Sequence, residues 1–304
     1  MRKKKSLKIE NWKDWIFDGC IYLFLTFVFI VTLYPFLNVL AISLNDSIDT
    51  VRGGIYIWPR KFTLDNYAAI FQYNNLVTAF INSVLRTVIG TVLGVISAAM
   101  VAYTLSRKDF QGRKFVSIVL VLTLYVSGGL IPEYMLIRKL HLVDTFWVYI
   151  LPGLVNAFNI LIIRSYMDTL PYSLQESAKI DGANDFTIFT KVILPLCAPV
   201  LATIALFIAV GHWNSLFDTY LYNSSNPKLT TLQYELMKIL QNTTMGSTDP
   251  NVFRGINGEE AAKRVSPESI KMAITMITII PILFVYPFLQ KYFIQGMTLG
   301  AVKS

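Results

Sequence analysis

Six stretches of this chain each run for about 18 residues or more without Asp, Glu, Lys or Arg, the length a helix needs to cross the hydrocarbon layer of a bilayer. They are Gly19–Leu44, Thr87–Ser106, Phe115–Pro132, Thr145–Ile163, Val192–Phe217 and Met272–Gln290. Helix is the expected form, because backbone groups inside lipid must be satisfied within the segment. Allowing for their margins, the spans fall at about 19–44, 80–106, 115–136, 145–165, 192–222 and 271–291. Composition agrees. The 304 residues are 54% hydrophobic and only 15% charged, against roughly 25% in a soluble domain, and mean hydropathy is +0.51.

The fold class expected is therefore all-α integral membrane with six transmembrane helices. Orientation follows from Lys and Arg, which gather on the cytoplasmic side of short loops. Arg2, Lys3, Lys4 and Lys5 precede the first span, and Arg107, Lys108, Arg113 and Lys114 flank the turn after the second. Both termini are thus expected in the cytoplasm. The net charge of +8 is topological, and no nucleic acid is needed to explain it. The first span is too long for the apolar region of a secretion signal and is followed by no A-x-A site, so it reads as a retained helix. Cys20, Cys197, His141 and His212 form no metal-ligand spacing, and no metal site is expected. Arg86 has two readings: it snorkels to the interface from near the outer end of its span, or it is a cavity-facing cation.

This organisation leaves residues 1–15 as a cytoplasmic segment, 16–293 as the membrane domain and 294–304 as a cytoplasmic tail. Two loops exceed what topology requires. The extracytoplasmic one, 223–270, is polar and rich in turn signals, with helical spacing over Leu232–Leu240. The cytoplasmic one, 166–195, holds the most informative text. A helix beginning near Pro171 continues through Glu176, Ser177, Ala178 and Lys179 and stops at Gly182, which accepts positive φ. Asn184 caps a second helix that carries Phe186, Phe189 and Val192 at i, i+3, i+6, an apolar stripe. Pro195 either ends it or marks its junction with the fifth span. Two short helices at a rigid elbow suit a groove in another protein; the plainer reading is an interfacial hairpin that only connects two spans.

Glu176-Ser177-Ala178, three residues, Gly182, nine residues, Val192, one residue and Leu194-Pro195 together resemble the EAA motif of permease subunits of binding-protein-dependent ABC importers. Ser177 stands where Ala is usual and Val192 where Ile is usual; Asp181-Gly182-Ala183 keeps the pattern. The resemblance extends over nearly the whole chain and is closest to the maltose-type, sugar-transporting branch, in particular Gram-positive-type permeases for complex oligosaccharides. It rests there on Asn82-Ser83, Ala102 to Arg107, Ile131-Pro132, Asp144 to Trp147, Ile150 to Gly153 and Gln295 to Lys303.

The resemblance implies the type I importer permease fold, a second and usually non-identical permease subunit, two ATPase subunits and an extracytoplasmic solute-binding protein. No GxxxxGK(S/T) occurs here, so the chain is expected to be no enzyme and to bind no cofactor, with ATP and Mg held by the ATPase partners. The coupling residues so implied are Glu176, Ser177, Ala178, Asp181, Gly182, Ala183, Phe189, Leu194 and Pro195. Residues 223–270 are expected to reach the binding protein, and the tail either enters between the ATPase subunits or frays. For the cargo path, Trp213, Phe217 and Tyr220 at i, i+4, i+7, with Asn214 and Asp218 alongside, form either a sugar-facing wall or an aromatic belt at the lipid boundary. Asn156, Asn159 and Tyr125 are further candidates, or simply bond neighbouring helices. The rival class is an ion-coupled secondary transporter, which would place ionisable residues mid-span.

Overall fold

Helix is the only extended regular structure among the described residues, where an isolated bridge between Asn45 and Phe62 is the sole β pairing. The structure is a computed structural model that describes residues 12–71, 75–244 and 266–301. In chain order the helices are α1 (Trp12–Ser43), α2 (Ser47–Thr50), α3 (Asp65–Phe71), α4 (Leu76–Ser106), α5 (Arg113–Tyr125), α6 (Leu130–Lys139) and α7 (Ala157–Met167). They continue as α8 (Ser173–Ile180), α9 (Asp185–Thr187), α10 (Leu194–Leu196), α11 (Ala198–Asn214), α12 (Leu232–Thr244) and α13 (Pro267–Ala301). The chain divides into two units, residues 1–72 with 249–276 and residues 73–248 with 277–304.

In the first unit α1 leads into a loop fixed by buried amides. Asn66 donates to the carbonyls of Ser43 and Asn45, both at 2.9 Å, and Ser47 donates to Asn66 at 2.8 Å. The Asp46 carboxylate accepts from the Asp49 N–H at 3.0 Å and so caps α2.

The second unit is built around α4, which packs against α11 and α7. Gly90, Gly94, Ala98 and Ala102 recur every four residues and give α4 a narrow stripe along which a neighbour can approach closely. A Cβ on Gly90 would collide with the His212 ring at Nε2, and one on Gly94 would come within 3.2 Å of Ile208. The core continues through Tyr103, Ile160, Ile163, Ile188, Phe189, Cys197 and Ile204, so the elbow of residues 166–195 and the helices share one packed interior. At the other end, Asn82 donates to the carbonyls of Lys228 and Thr230, and Ser83 Oγ accepts from the Leu232 N–H. Those bonds seat α12 on the start of α4, which gives Asn82-Ser83 a structural role.

Two helices among the described residues, Trp15–Ser43 within α1 and α4, are long and apolar enough by themselves to cross a membrane. The expected third span, 115–136, is bent by 118° between α5 and α6; the chain turns at Gly128-Gly129, where Gly129 takes φ +87°. The expected fourth, 145–165, opens as a 3-10 turn over Phe146–Tyr149 and becomes α-helical only at Ala157. Pro152 lacks the N–H a helix needs, and Asn156 starts the new helix by accepting from the Asn159 N–H at 3.1 Å. The fifth, 192–222, bends by 82° at Cys197 and breaks again after Asn214. α13 runs unbroken to Ala301 through Pro281 and Pro287, so the backbone of the expected tail is helical to that point.

Candidate functional site

The elbow begins with α8, which ends as its glycine predicts. Gly182 takes φ +82°, its N–H donates to the Lys179 carbonyl at 3.0 Å, and the Ala183 N–H donates to the Ala178 carbonyl at 2.9 Å. This pair of bonds is the Schellman motif. The Asn184 side chain then accepts from the Thr187 N–H at 2.8 Å and starts α9. Pro171 lies just before α8, whose first helical residue is Ser173.

Beyond α9 the chain differs from expectation. Residues Ile188–Ile193 form a π-helical turn, and Phe186 does not share a face with Phe189 and Val192, which both pack on the core. Phe186 is exposed, whereas Phe189 is buried with its ring 5.1 Å from that of Tyr103. A wider turn rotates each later side chain off the 3.6-residue register on which the stripe was read. Of the expected coupling residues, Glu176, Ser177, Asp181, Gly182 and Pro195 are exposed. Ala178, Ala183, Phe189 and Leu194 turn toward the core. The free face also carries Ile180, 85% exposed, and Phe186, 68% exposed. Pro195 sits in α10, at the junction with α11.

Ion pairs fasten the elbow to the end of α4. Arg107, buried at 6% exposure, reaches Asp109 at 2.6 Å, Asp185 at 2.8 Å and the Tyr103 hydroxyl at 3.1 Å. Lys179 reaches Asp109 at 3.4 Å, and the Lys108 ammonium lies 5.0 Å from the Tyr172 ring centre. The hydrogen bonds from Arg107 hold the Asp109 carboxyl well below the usual carboxylate range. Both short helices are thus clamped: α8 through Lys179, α9 through Asp185. Sequence reasoning read Arg107 as a topological charge. Its place at the end of the quoted Ala102–Arg107 stretch was the available signal, but its partner Asp185 lies 78 residues away.

The cargo-path candidates are not brought together as one wall. α11 stops at Asn214 and a π turn occupies Thr219–Asn223, so the i, i+4, i+7 spacing spans two backbone breaks. Trp213 is buried, donates from Nε1 to the Thr278 carbonyl at 2.9 Å and lies edge-on to Phe80. Phe217, Tyr220 and Asn214 are exposed. Tyr125, at the end of α5, is 84% exposed; Asn156 is exposed and Asn159 buried, both serving the start of α7.

Arg86 fits neither reading made of it. Its side chain is buried and pairs with the Asp218 carboxylate. It also faces His212 Nδ1 and the Ser215 carbonyl at 3.4 Å each, and its guanidinium carbon lies 4.6 Å from the Tyr149 ring centre. Ser215 follows the end of α11, so Arg86 serves the carbonyl freed by that break. Asp218 is committed to this pair, and its accessible edge is partial. No group of His, Cys, Asp and Glu suited to a metal ion occurs among the described residues.

A family model described as "Binding-protein-dependent transport system inner membrane component" matches residues 6–299. The chain is 38% identical over 290 residues to Protein LplC of Bacillus subtilis (strain 168), covering 95% of each. It is 38% identical over 293 residues to the polygalacturonan/rhamnogalacturonan transport system permease protein YtcP of the same organism, covering 96% of this chain and all (100%) of that one. The arabinooligosaccharides transport system permease protein AraQ of Halalkalibacterium halodurans is 31% identical over 307 residues, covering 99% and 100%. Among solved structures, a bacterial ABC transporter involved in the import of the acidic polysaccharide alginate matches with a TM-score of 0.84 and 28% identity, over 94% of this chain and 99% of that one.

Proposed function

The chain belongs to the inner membrane components of binding-protein-dependent transport systems, and from that premise we propose that it forms one half of the pore of an ABC importer for a complex oligosaccharide. The observation that carries the mechanism is the clamped elbow: a rigid two-helix projection whose exposed face is free and whose root is ion-paired to α4. An ATPase subunit grips the exposed Glu176, Ile180 and Phe186 face, and closure of the ATPase pair around ATP and Mg moves the elbow. α10 and α11 carry that movement into the membrane. This chain supplies no nucleotide chemistry of its own.

In this reading six segments cross a bacterial plasma membrane, both termini are cytoplasmic, and the loop after the fifth span meets a solute-binding protein outside. A non-identical permease subunit completes the pore. The substrate class is supported by the relatives, whose names give polygalacturonan/rhamnogalacturonan and arabinooligosaccharides as cargo. The exposed Phe217, Tyr220 and Asn214 remain the candidate sugar contacts of this chain. An ion-coupled carrier is not favoured: an ion gradient needs ionisable groups within the spans to act on, and Arg86 and Asp218 neutralise each other.

Affinity purification in mild detergent tests the whole reading. A second permease, an ATPase and binding-protein-stimulated ATP hydrolysis across a panel of oligosaccharides are expected. Purification of this chain alone, with uptake driven by an ion gradient, would overturn it.

A further inference from the structure

Residues 54–58 fold back beside the last turns of α1. Gly53 and Gly54 both take positive φ, +72° and +74°, and reverse the chain. The Asn38 side-chain amide then donates to the carbonyls of Ile55 at 2.8 Å and Tyr56 at 2.9 Å. The neck is clamped by Arg60, whose Nε meets Asp49 at 2.9 Å and whose Nη2 donates to the Gly53 carbonyl at 2.7 Å. Out of this fixed loop project three consecutive large side chains: Tyr56, Ile57 and Trp58, the last 81% exposed.

Their depth follows from α1. The apolar run Trp15–Ser43 has 29 residues and measures about 43 Å, so, centred in a hydrocarbon layer of about 30 Å, it overhangs by about 6–7 Å at each end. Asn38 lies five residues before Ser43, about 7.5 Å down the helix, level with the hydrocarbon edge. The carbonyls it holds are at the same level. That is the depth at which Trp and Tyr concentrate in membrane proteins, and at which an unpaired backbone carbonyl is costly. Asn38 pairs both.

We propose that residues 54–58 are an interfacial finger that inserts Tyr56, Ile57 and Trp58 into the outer leaflet at the boundary between acyl chains and headgroups. The occupant of this apolar tip is lipid. The proposal rests on the topology given under Proposed function, in which Ser43 lies at the outer face.

The test uses the complete transporter in vesicles of phosphatidylethanolamine and phosphatidylglycerol, with reactive cysteines removed from the partner subunits. In a Cys20→Ser background (Cys197 is buried), a nitroxide is placed at Ile57→Cys or, as reference, at Arg52→Cys. Collision rates with oxygen and with a water-soluble nickel complex are compared. The expected oxygen-to-nickel ratio is several-fold higher at position 57 than at position 52. Equal ratios, or a label at 57 shielded from both reagents because a protein covers it, would overturn the finger alone. Arg52→Cys should react with an impermeant maleimide from outside intact cells. Reaction only after permeabilisation would overturn the topology and the finger with it.

Discussion

Two residues of the elbow test the proposed coupling. Gly182 holds a left-handed conformation that proline cannot enter, its φ being fixed near −65°, and Glu176 stands on the free face. Gly182→Pro and Glu176→Lys are expected to leave the chain inserted and assembled while uptake falls by roughly 5- to 150-fold, the range of a coupling energy of about 1–3 kcal/mol. Uptake and ATP hydrolysis measured together in proteoliposomes check this: hydrolysis should persist where transport is lost. Away from the elbow, Asp218→Asn leaves Arg86 buried without its counter-ion, at a cost of about 3 kcal/mol. Thermal unfolding in detergent should show that loss, and the double variant Arg86→Met/Asp218→Asn should recover much of it. Losses that simply add, with the double variant losing as much as Asp218→Asn and Arg86→Met together, would mean that the pair contributes nothing.

At the scale of elements, close approach and clamping matter more than single contacts. Gly90→Leu drives a side chain into the His212 ring and should separate α4 from α11, costing about 1–3 kcal/mol and lowering the unfolding midpoint. Arg107→Ala removes the clamp between α4 and α9 and leaves Asp109, the anchor of Lys179 on α8, without its arginine. Because its carboxylate partners are half exposed, the stability loss should be only about 1 kcal/mol, whereas uptake should fall more than stability explains; the ratio of transport to hydrolysis reads the difference. The elbow was legible in the sequence because its signals are local: a glycine stop and an asparagine cap within three residues of each other. The Arg86–Asp218 pair was not, since 132 residues separate its members. The spacing of Trp213, Phe217 and Tyr220 did not carry over to one face because it presumes an unbroken helix, and Ser215 and the π turn interrupt it. The four-residue stripe from Gly90 to Ala102 was present to be read and was passed over, since small residues carry no hydropathy signal of their own.

For the molecule as a whole, the long apolar runs established the membrane class, but not where spans bend. Glycines and prolines inside runs of uniform hydropathy turned the third, fourth and fifth spans into jointed segments. The loop of residues 223–270 is anchored at its beginning, where Asn75 reaches Thr230 at 2.6 Å and Glu235 at 2.9 Å. Residues 245–265 lie outside the described structure. Deleting residues 241–262 is expected to abolish stimulation of ATP hydrolysis by the binding protein while basal hydrolysis persists. Full stimulation in the deletion variant would show that docking needs none of that segment.

No flexible linker separates the elbow from the fifth span: α9, the π turn, α10 and α11 follow one another through a single bend at Cys197. α11 has 17 residues and is about 25 Å long, so a tilt of about 10° about that bend sweeps its far tip through an arc of about 4 Å. The assembly therefore behaves as a crank. On the proposed topology, a small rotation in the cytoplasm becomes a side-chain-sized displacement near the opposite membrane face, and neither helix has to melt.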